Sequence, residues 1–179
     1  LITSKMLLGL TERSLANPPD MLLTANATLA QAINELRSLS KMLDKEWLEQ
    51  FNFNTNLQTE IDRINTAKAV QARFDHSGNM PLKAESQIIL FRIVQEAIQN
   101  AIKHGGADNI VITAAQDDDA IRISVTDNGC GFSMGEQKGM GISNMQHRAN
   151  LLGGSITWGS ASPKGTIVTI TLPISSKET

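Results

Sequence analysis

Three short stretches of this sequence carry side chains that could do chemistry together. The first ends an alternating run: Ile121, Ile123 and Val125 share one face of a strand, and the period of two puts Asp127 on that same face. A carboxylate that continues a buried row must find a hydrogen-bond donor or meet a heavy desolvation cost. Asn128-Gly129-Cys130-Gly131-Phe132 follows at once, and glycines spaced by one residue allow close backbone approach and positive φ angles. Together they point to a pocket where a flat, donor-bearing ligand meets Asp127 across glycine backbone. The competing reading is an aspartate that starts a turn and caps its own loop.

The second stretch is Gly139-Met140-Gly141, which opens a helix near Ile142. Unpaired N–H groups and partial positive charge at a helix N-terminus suit phosphate oxygens. No Walker loop occurs, and the strand order and downstream acid of a dinucleotide fingerprint are missing. The third stretch is a polar stripe. Arg92, Glu96, Asn100 and His104 stand four residues apart, each step advancing about 40° around a helix, with Lys103 beside them. That stripe faces either water or a site. Taken alone, it reads as a solvated helix face with an Arg92–Glu96 pair contributing a few tenths of a kcal/mol.

Elements that would position these residues can be read from periodicity. A helix over Lys83–His104 buries Phe91, Val94, Ile98 and Ala101 and stops at Gly105-Gly106. Strands Asn109–Ala115 and Ala120–Asp127 flank the acidic turn Asp117-Asp118-Asp119, which is most simply solvated. After the glycine-rich loop comes a helix with Ile142, Met145, Ala149 and Leu152, ended by Gly153-Gly154. Strands Ser155–Trp158 and Thr166–Leu172 complete the chain. Upstream, Leu57, Ile61 and Ile64 mark a short amphipathic helix. Val70, Ala72 and Phe74 mark a strand closed by His76-Ser77-Gly78-Asn79. The expected fold is α+β: a two-layer α/β sandwich whose mixed, mostly antiparallel sheet carries its helices on one face.

The N-terminal third has a different pattern. Leu22, Leu29, Leu36 and Leu43 recur every seven residues, with Ala25, Ala32 and Leu39 three places after the first three. This is a heptad seam. Asn17-Pro18-Pro19-Asp20 breaks it from the helical residues before, so a helical hairpin over 1–53 precedes a second domain over 54–179. The hairpin either dimerises into a four-helix bundle or packs on its own globular domain.

Composition narrows the function. The 179 residues are 19% charged and 41% hydrophobic, as in an ordinary globular protein. A net charge of −2 argues against a nucleic-acid partner. One cysteine and three scattered histidines argue against a disulfide framework or a structural zinc site. No stretch reaches the roughly 20 apolar residues that cross a bilayer, and no signal peptide opens the chain. The expectation is a cytoplasmic fragment of a longer protein.

With these residues in view, a resemblance is plain. Glu96-Ala-Ile-Gln-Asn100-Ala-Ile-Lys103-His104, Asp127-Asn-Gly129-Cys-Gly131-Phe132, Gly139-Met-Gly141 and Gly165-Thr166-Ile-Val-Thr-Ile-Thr-Leu-Pro173 resemble the catalytic ATP-binding domain of bacterial sensor histidine kinases. The wider class includes gyrase-type, mismatch-repair and heat-shock chaperone ATPases. Asn144-Met145-Gln146-His147-Arg148-Ala149 is similar to the nitrate-sensor and lipid-desaturase-regulator branch, which lacks the phenylalanine box and has a short lid, as Ser133–Lys138 is short here.

The resemblance implies a role for each residue. Asp127 accepts from the adenine exocyclic amine; Gly129 and Gly131 let base and ribose approach; Thr166 supports the adenine through water. Asn100 holds Mg²⁺ by its side-chain oxygen, which a hard cation requires. Glu96 is the base or water-orienting group. Lys103 and His104 stabilise phosphate charge, and Gly139 and Gly141 amides cradle it. ATP and Mg²⁺ are then the cofactors, a response regulator the protein partner, and a homodimer through the hairpin the assembly. A parent anchored in the inner membrane fits, as for many relatives.

The family's phosphorylated histidine sits in its first bundle helix. None of His76, His104 and His147 matches that motif, so this fragment is expected to bind ATP–Mg²⁺ without phosphorylating itself. The alternative function is a non-catalytic module in which nucleotide sets only the lid and partner surface. A gyrase- or chaperone-type clamp fits poorly with a heptad hairpin before the domain. Cys130 reads as incidental, Trp47 and Trp158 as packing, and Phe132 as the anchor of the lid's entry.

Overall fold

The computed structural model describes residues 45–67, 69–77, 80–117, 119–131 and 140–174, with isolated positions at 22, 25, 28, 29, 32 and 33. They divide between Gln50 and Phe51 into two compact units. In the first, Leu22, Ala25, Thr28, Leu29, Ala32 and Ile33 are helical, and α1 spans Lys45–Gln50. Leu36, Leu39, Leu43 and the Asn17–Asp20 break lie outside the described residues.

The second unit begins with α2, Phe53–Thr66. Its start is set by Asn52, whose Oδ1 accepts from Thr55 N–H at 3.0 Å and from the Thr55 hydroxyl at 3.2 Å. Such a cap stabilises a helix by about 1 kcal/mol. The apolar spacing read from the sequence holds, since Leu57 and Ile61 are buried along with Phe53. The helix is longer than its apolar triplet because exposed i,i+4 bonds extend it, Gln58 to Asp62 and Thr59 to Thr55.

β1 (Gln71–His76) leads to α3 (Ala84–Lys103), then β2 (Asn109–Gln116) and β3 (Ala120–Asp127). α4 (Met140–Leu151), β4 (Ser155–Ser160) and β5 (Thr166–Pro173) follow. These boundaries fall within two residues of those expected. The expected turn residues Gly78 and Asn79 lie outside the described residues, as do Phe132 to Gly139.

One five-stranded sheet runs in the order β1-β2-β3-β5-β4. β1 pairs parallel with β2, which is why α3 must cross over between them, and the other three pairs are antiparallel. β5 is inserted between β3 and β4. Alternate residues make the core: Ile110 and Ile112, Ile121, Ile123 and Val125, Val168, Ile170 and Leu172 are all buried. α2, α3 and α4 pack on this side, against β1, β3 and β4. Their partners from α3 are Ile88, Leu90, Ile93, Val94, Ala97, Ile98 and Ala101. The α+β sandwich expected from periodicity is therefore the fold.

Two side-chain clamps fix α2. Gln87 on α3 accepts from Phe53 N–H at 2.8 Å while donating to the Leu82 carbonyl at 2.8 Å. Asn65 lies along β1, its Nδ2 donating to the Ala72 carbonyl at 2.9 Å and its Oδ1 accepting Ala72 N–H at 2.8 Å.

At the β2–β3 turn Asp117 and Asp119 are exposed, as expected of a solvated turn, and Asp117 also binds the backbone there. Asp117 Oδ1 accepts from Asp119 N–H at 3.0 Å and Ala120 N–H at 2.7 Å, and the carboxylate pairs with Arg122. Those N–H groups, with the Arg122 charge adding, hold the Asp117 carboxyl below its ordinary range. A depressed folded value means stability that is present above the unfolded value near 3.9 and is lost as pH falls through the folded one. Asp117→Ala should therefore melt slightly below the parent at neutral pH. The gap should narrow as melts are repeated below about pH 4.

Candidate functional site

The site is assembled where β3 ends. Ile121, Ile123 and Val125 are buried and Asp127 continues their row at 6% exposure, the one charged residue buried among the described residues. Its Oδ1 accepts two main-chain N–H groups, from Gly129 at 2.8 Å and from Thr166 at 3.2 Å. Burying a carboxylate costs several kcal/mol, and two N–H bonds offset part of that. Both of these bonds fall on Oδ1. The described residues give Oδ2 no hydrogen bond, so it is the acceptor open to a ligand donor. Oδ1 thus caps its own loop, and the second carboxylate oxygen takes no part in that cap.

Close backbone approach brings the rest to it. α3 ends at Lys103; His104 and Gly105 both donate to the Asn100 carbonyl, at 2.9 and 3.0 Å, which turns the chain back. The Gly105 carbonyl then accepts Cys130 N–H at 2.8 Å. A Cβ at Gly129 would stand 2.5 Å from that carbonyl oxygen and 2.9 Å from Asp127 Oδ1, so only glycine lets the loop lie on the helix end. On the other side Gly165 has φ +112°, and a Cβ there would run into the Asp127 carbonyl. The Asp127 turn is thus held between the end of α3 and the start of β5.

Asn128 completes the hold. Its Oδ1 accepts from Asp108 and Asn109 N–H at 3.1 and 3.0 Å, and its Nδ2 donates to Asp108 at 2.7 Å. Asn128, Gly105 and Gly165 have no role at the site that the sequence alone assigns. The Asp-Asn-Gly turn chemistry carried a signal for Asn128; the two glycine contacts are between distant segments and carried none.

On α3 the polar stripe exists, with Arg92, Glu96 and Asn100 half-buried and His104 exposed. The Arg92–Glu96 pair that spacing allows does not form. Arg92 Nη1 donates to Gln95 at 2.8 Å. Burial pushes the Arg92 guanidinium below its ordinary value, Arg148 on α4 adds to that by repulsion, and Glu60 opposes it. Glu96 instead lies against the first turn of α4, its carboxylate beside the Cα of Gly141. Lys103 is exposed and donates to Gln99 at 3.4 Å, back along the helix. The His104 carbonyl faces Cys130 Sγ at 3.6 Å; the thiol is exposed.

The structure therefore joins Asp127, Gly129 and Thr166 directly, with Gly131 at φ +92° in the same loop, and joins Glu96 to Gly141. Asn100 reaches the group by its backbone through Gly105. Lys103 makes no hydrogen bond or ion pair with these residues, and Gly139 lies outside the described residues. No three His, Cys, Asp or Glu side chains gather into a metal cage among the described residues. No helix of the described residues is long and apolar enough to cross a membrane.

Comparison with known proteins bears on this geometry. Residues 85–176 match the family described as histidine kinase-, DNA gyrase B-, and HSP90-like ATPase. The chain is 32% identical over 151 residues to the sensor histidine kinase MctS of Rhizobium johnstonii, covering 81% of this chain and 32% of that protein. It is 30% identical over 141 residues to the oxygen sensor histidine kinase NreB of Staphylococcus carnosus, covering 77% and 35%. The chain spans about a third of the length of these curated relatives. Among solved structures it is similar to the ATP binding domain of PrrB from Mycobacterium tuberculosis. That match has a TM-score of 0.54 and 25% identity, covering 65% of this chain and 92% of that one.

Proposed function

Because the chain belongs to the histidine kinase-, DNA gyrase B- and HSP90-like ATPase family, we propose that it is the ATP-binding and phosphoryl-donating core of a bacterial two-component sensor histidine kinase. The γ-phosphoryl group of ATP passes to a histidine outside the recognisable motifs of this chain and from there to a response regulator. Residues 54–179 form the catalytic domain and 1–53 the hairpin through which the full protein dimerises.

One observation carries this reading: a buried carboxylate with one oxygen saturated by backbone and the other open, packed against Gly129 and Gly165, where no side chain would fit. Asp127 Oδ2 accepts the exocyclic amine of adenine, satisfying both groups, and Thr166 holds Asp127 in place. Gly129 and Gly131 leave room for base and ribose. Asn100 supplies a side-chain oxygen of the kind a hard cation takes; Mg²⁺ commonly has few protein ligands and keeps water and phosphate oxygens for the rest. When bound, the ion neutralises charge on the phosphates. Gly139 and Gly141 would offer their N–H groups to the phosphates, and Lys103 and His104 would stabilise phosphate charge. Glu96 orients or deprotonates the attacking group. Phosphoryl transfer needs little beyond positioning and charge stabilisation, so the set suffices on the donor side.

Titration calorimetry with ATP tests the reading, and absence of any ATP uptake by the full chain would end it. Asn100→Ala should leave metal-free nucleotide binding unchanged and abolish most of the gain from Mg²⁺, about tenfold in affinity. An Asn100→Ala protein that still responds fully to Mg²⁺ would remove this residue from the metal site.

A further inference from the structure

We infer that Gly141 is a positioning residue for Glu96: the absence of a side chain at the first turn of α4 is what gives the Glu96 carboxylate its place. This rests on the assignment of Glu96 as the base or orienting group, and gives Gly141 a task separate from offering its N–H to phosphate.

The geometry is specific. A Cβ at 141 would fall on Glu96 Oε1, with Cδ at 3.3 Å and Cγ at 3.7 Å; all three nearest atoms belong to that one side chain. The carboxylate thus fills the volume that any side chain at 141 would need. Nothing polar among the described residues fixes it, for neither a hydrogen bond nor an ion pair joins Glu96 to another of them. The neighbour one turn back, Arg92, donates to Gln95. Shape rather than bonding therefore selects the Glu96 conformer.

Beyond its first turn α4 is anchored in the core. Met145 and Ala149, one and two turns beyond Gly141 on the same side, are buried at 1% and 0% exposure. The contact at 141, by contrast, is with the far end of a flexible chain. An added methyl group would displace the carboxylate and leave the packing alone. Stability should hardly change while the carboxylate relocates, which separates this role from a structural one. The main-chain N–H of residue 141 survives the change, so any loss of nucleotide affinity should be smaller than the loss of rate.

The experiment is a double-mutant cycle in the full chain. It combines Gly141→Ala with Glu96→Asp, whose carboxylate is retracted by one methylene and clears the new methyl group. Calorimetry with ATP–Mg²⁺ should show Gly141→Ala losing less in affinity than it loses in phosphotransfer rate, each relative to the parent. Phosphotransfer to a separately supplied histidine-bearing helix should fall about tenfold or more. Adding Gly141→Ala to Glu96→Asp should cost at most about twofold, so the two effects do not multiply. Multiplying effects, or an equal loss of affinity and rate, would overturn the proposal.

A second readout needs no turnover. The side-chain carboxyl ¹³C resonance of Glu96 in nucleotide-free protein should shift in Gly141→Ala, whereas the side-chain carboxyl resonance at position 96 of the Glu96→Asp protein should stay in place when Gly141→Ala is added. An unmoved resonance would refute the positioning role even if the phosphotransfer assay fails for the parent. A parent that binds no ATP would refute the functional reading and leave this measurement to decide the contact.

Discussion

Asp127→Asn is expected to leave the fold intact and to weaken ATP binding about 100-fold. The replacement is isosteric, and its carbonyl oxygen can go on accepting Gly129 and Thr166 N–H where Asp127 Oδ1 does now, at 2.8 and 3.2 Å. Its amide nitrogen then takes the place of Oδ2. A donor there meets the donor amine of adenine, and a site built to accept a hydrogen bond discriminates strongly against such a mismatch. Losing an acceptor within a buried charge-assisted bond costs about 2–3 kcal/mol, which is the factor quoted. Calorimetry on the variant measures it, and circular dichroism shows whether the fold has survived. Asp127→Ala should be worse on both counts, because it strands two main-chain donors as well. Parent-like ATP affinity in Asp127→Asn would remove adenine recognition from this carboxylate and with it the proposed site.

The second large effect belongs to a residue with no polar side chain. Gly165→Ala is expected to destabilise the catalytic unit by about 3 kcal/mol or more and to lose ATP binding. A residue with a Cβ is penalised by roughly 1–3 kcal/mol at a φ of +112°. Its methyl group would also overlap the Asp127 carbonyl and stand 2.9 Å from Asn128 Cα, both backbone atoms with nowhere to go. Gly131→Ala provides the contrast. Its φ is +92°, but its Cβ would rest 3.5 Å from the Gly165 carbonyl, an ordinary contact. Only the conformational penalty applies, so thermal melts should place Gly131→Ala between the parent and Gly165→Ala. The reverse order would mean that the Gly165 approach to Asp127 is looser than the structure has it.

The two glycines also show where reading the sequence stopped. Periodicity located Asp127 on the buried face because strand geometry is local: two residues per repeat carry Val125 to Asp127 whatever the rest of the chain does. The same holds for the stripe on α3 and for the buried set Val94, Ile98 and Ala101. Phe91, expected in that set, is only half-buried, because its ring meets Phe51 and Phe53 edge-on at the margin of the core. What periodicity cannot carry is which distant segments touch. Gly165 lies 38 residues after Asp127 in the chain, and its contact depends on β5 being inserted between β3 and β4. Nothing in a hairpin pattern fixes that order. Likewise Arg92 and Glu96 have ion-pair spacing, yet Arg92 donates to Gln95 along the same helix while tertiary packing sets Glu96 against Gly141.

The carboxamide of Asn65 has a further effect on how this protein behaves in concentrated solution. Residues along an outermost strand turn their N–H and C=O alternately inward and outward, and on β1 the inward set includes Gln71, which donates to Asp108. Ala72 is of the outward set, and both of its groups are already engaged by Asn65. A foreign strand arriving at that border would find its first pair of bonding positions occupied by a side chain that imitates a neighbouring peptide. Docking at Ala72 would require evicting a matched amide, so the start of this border resists the self-templated stacking to which bare sheet margins are prone.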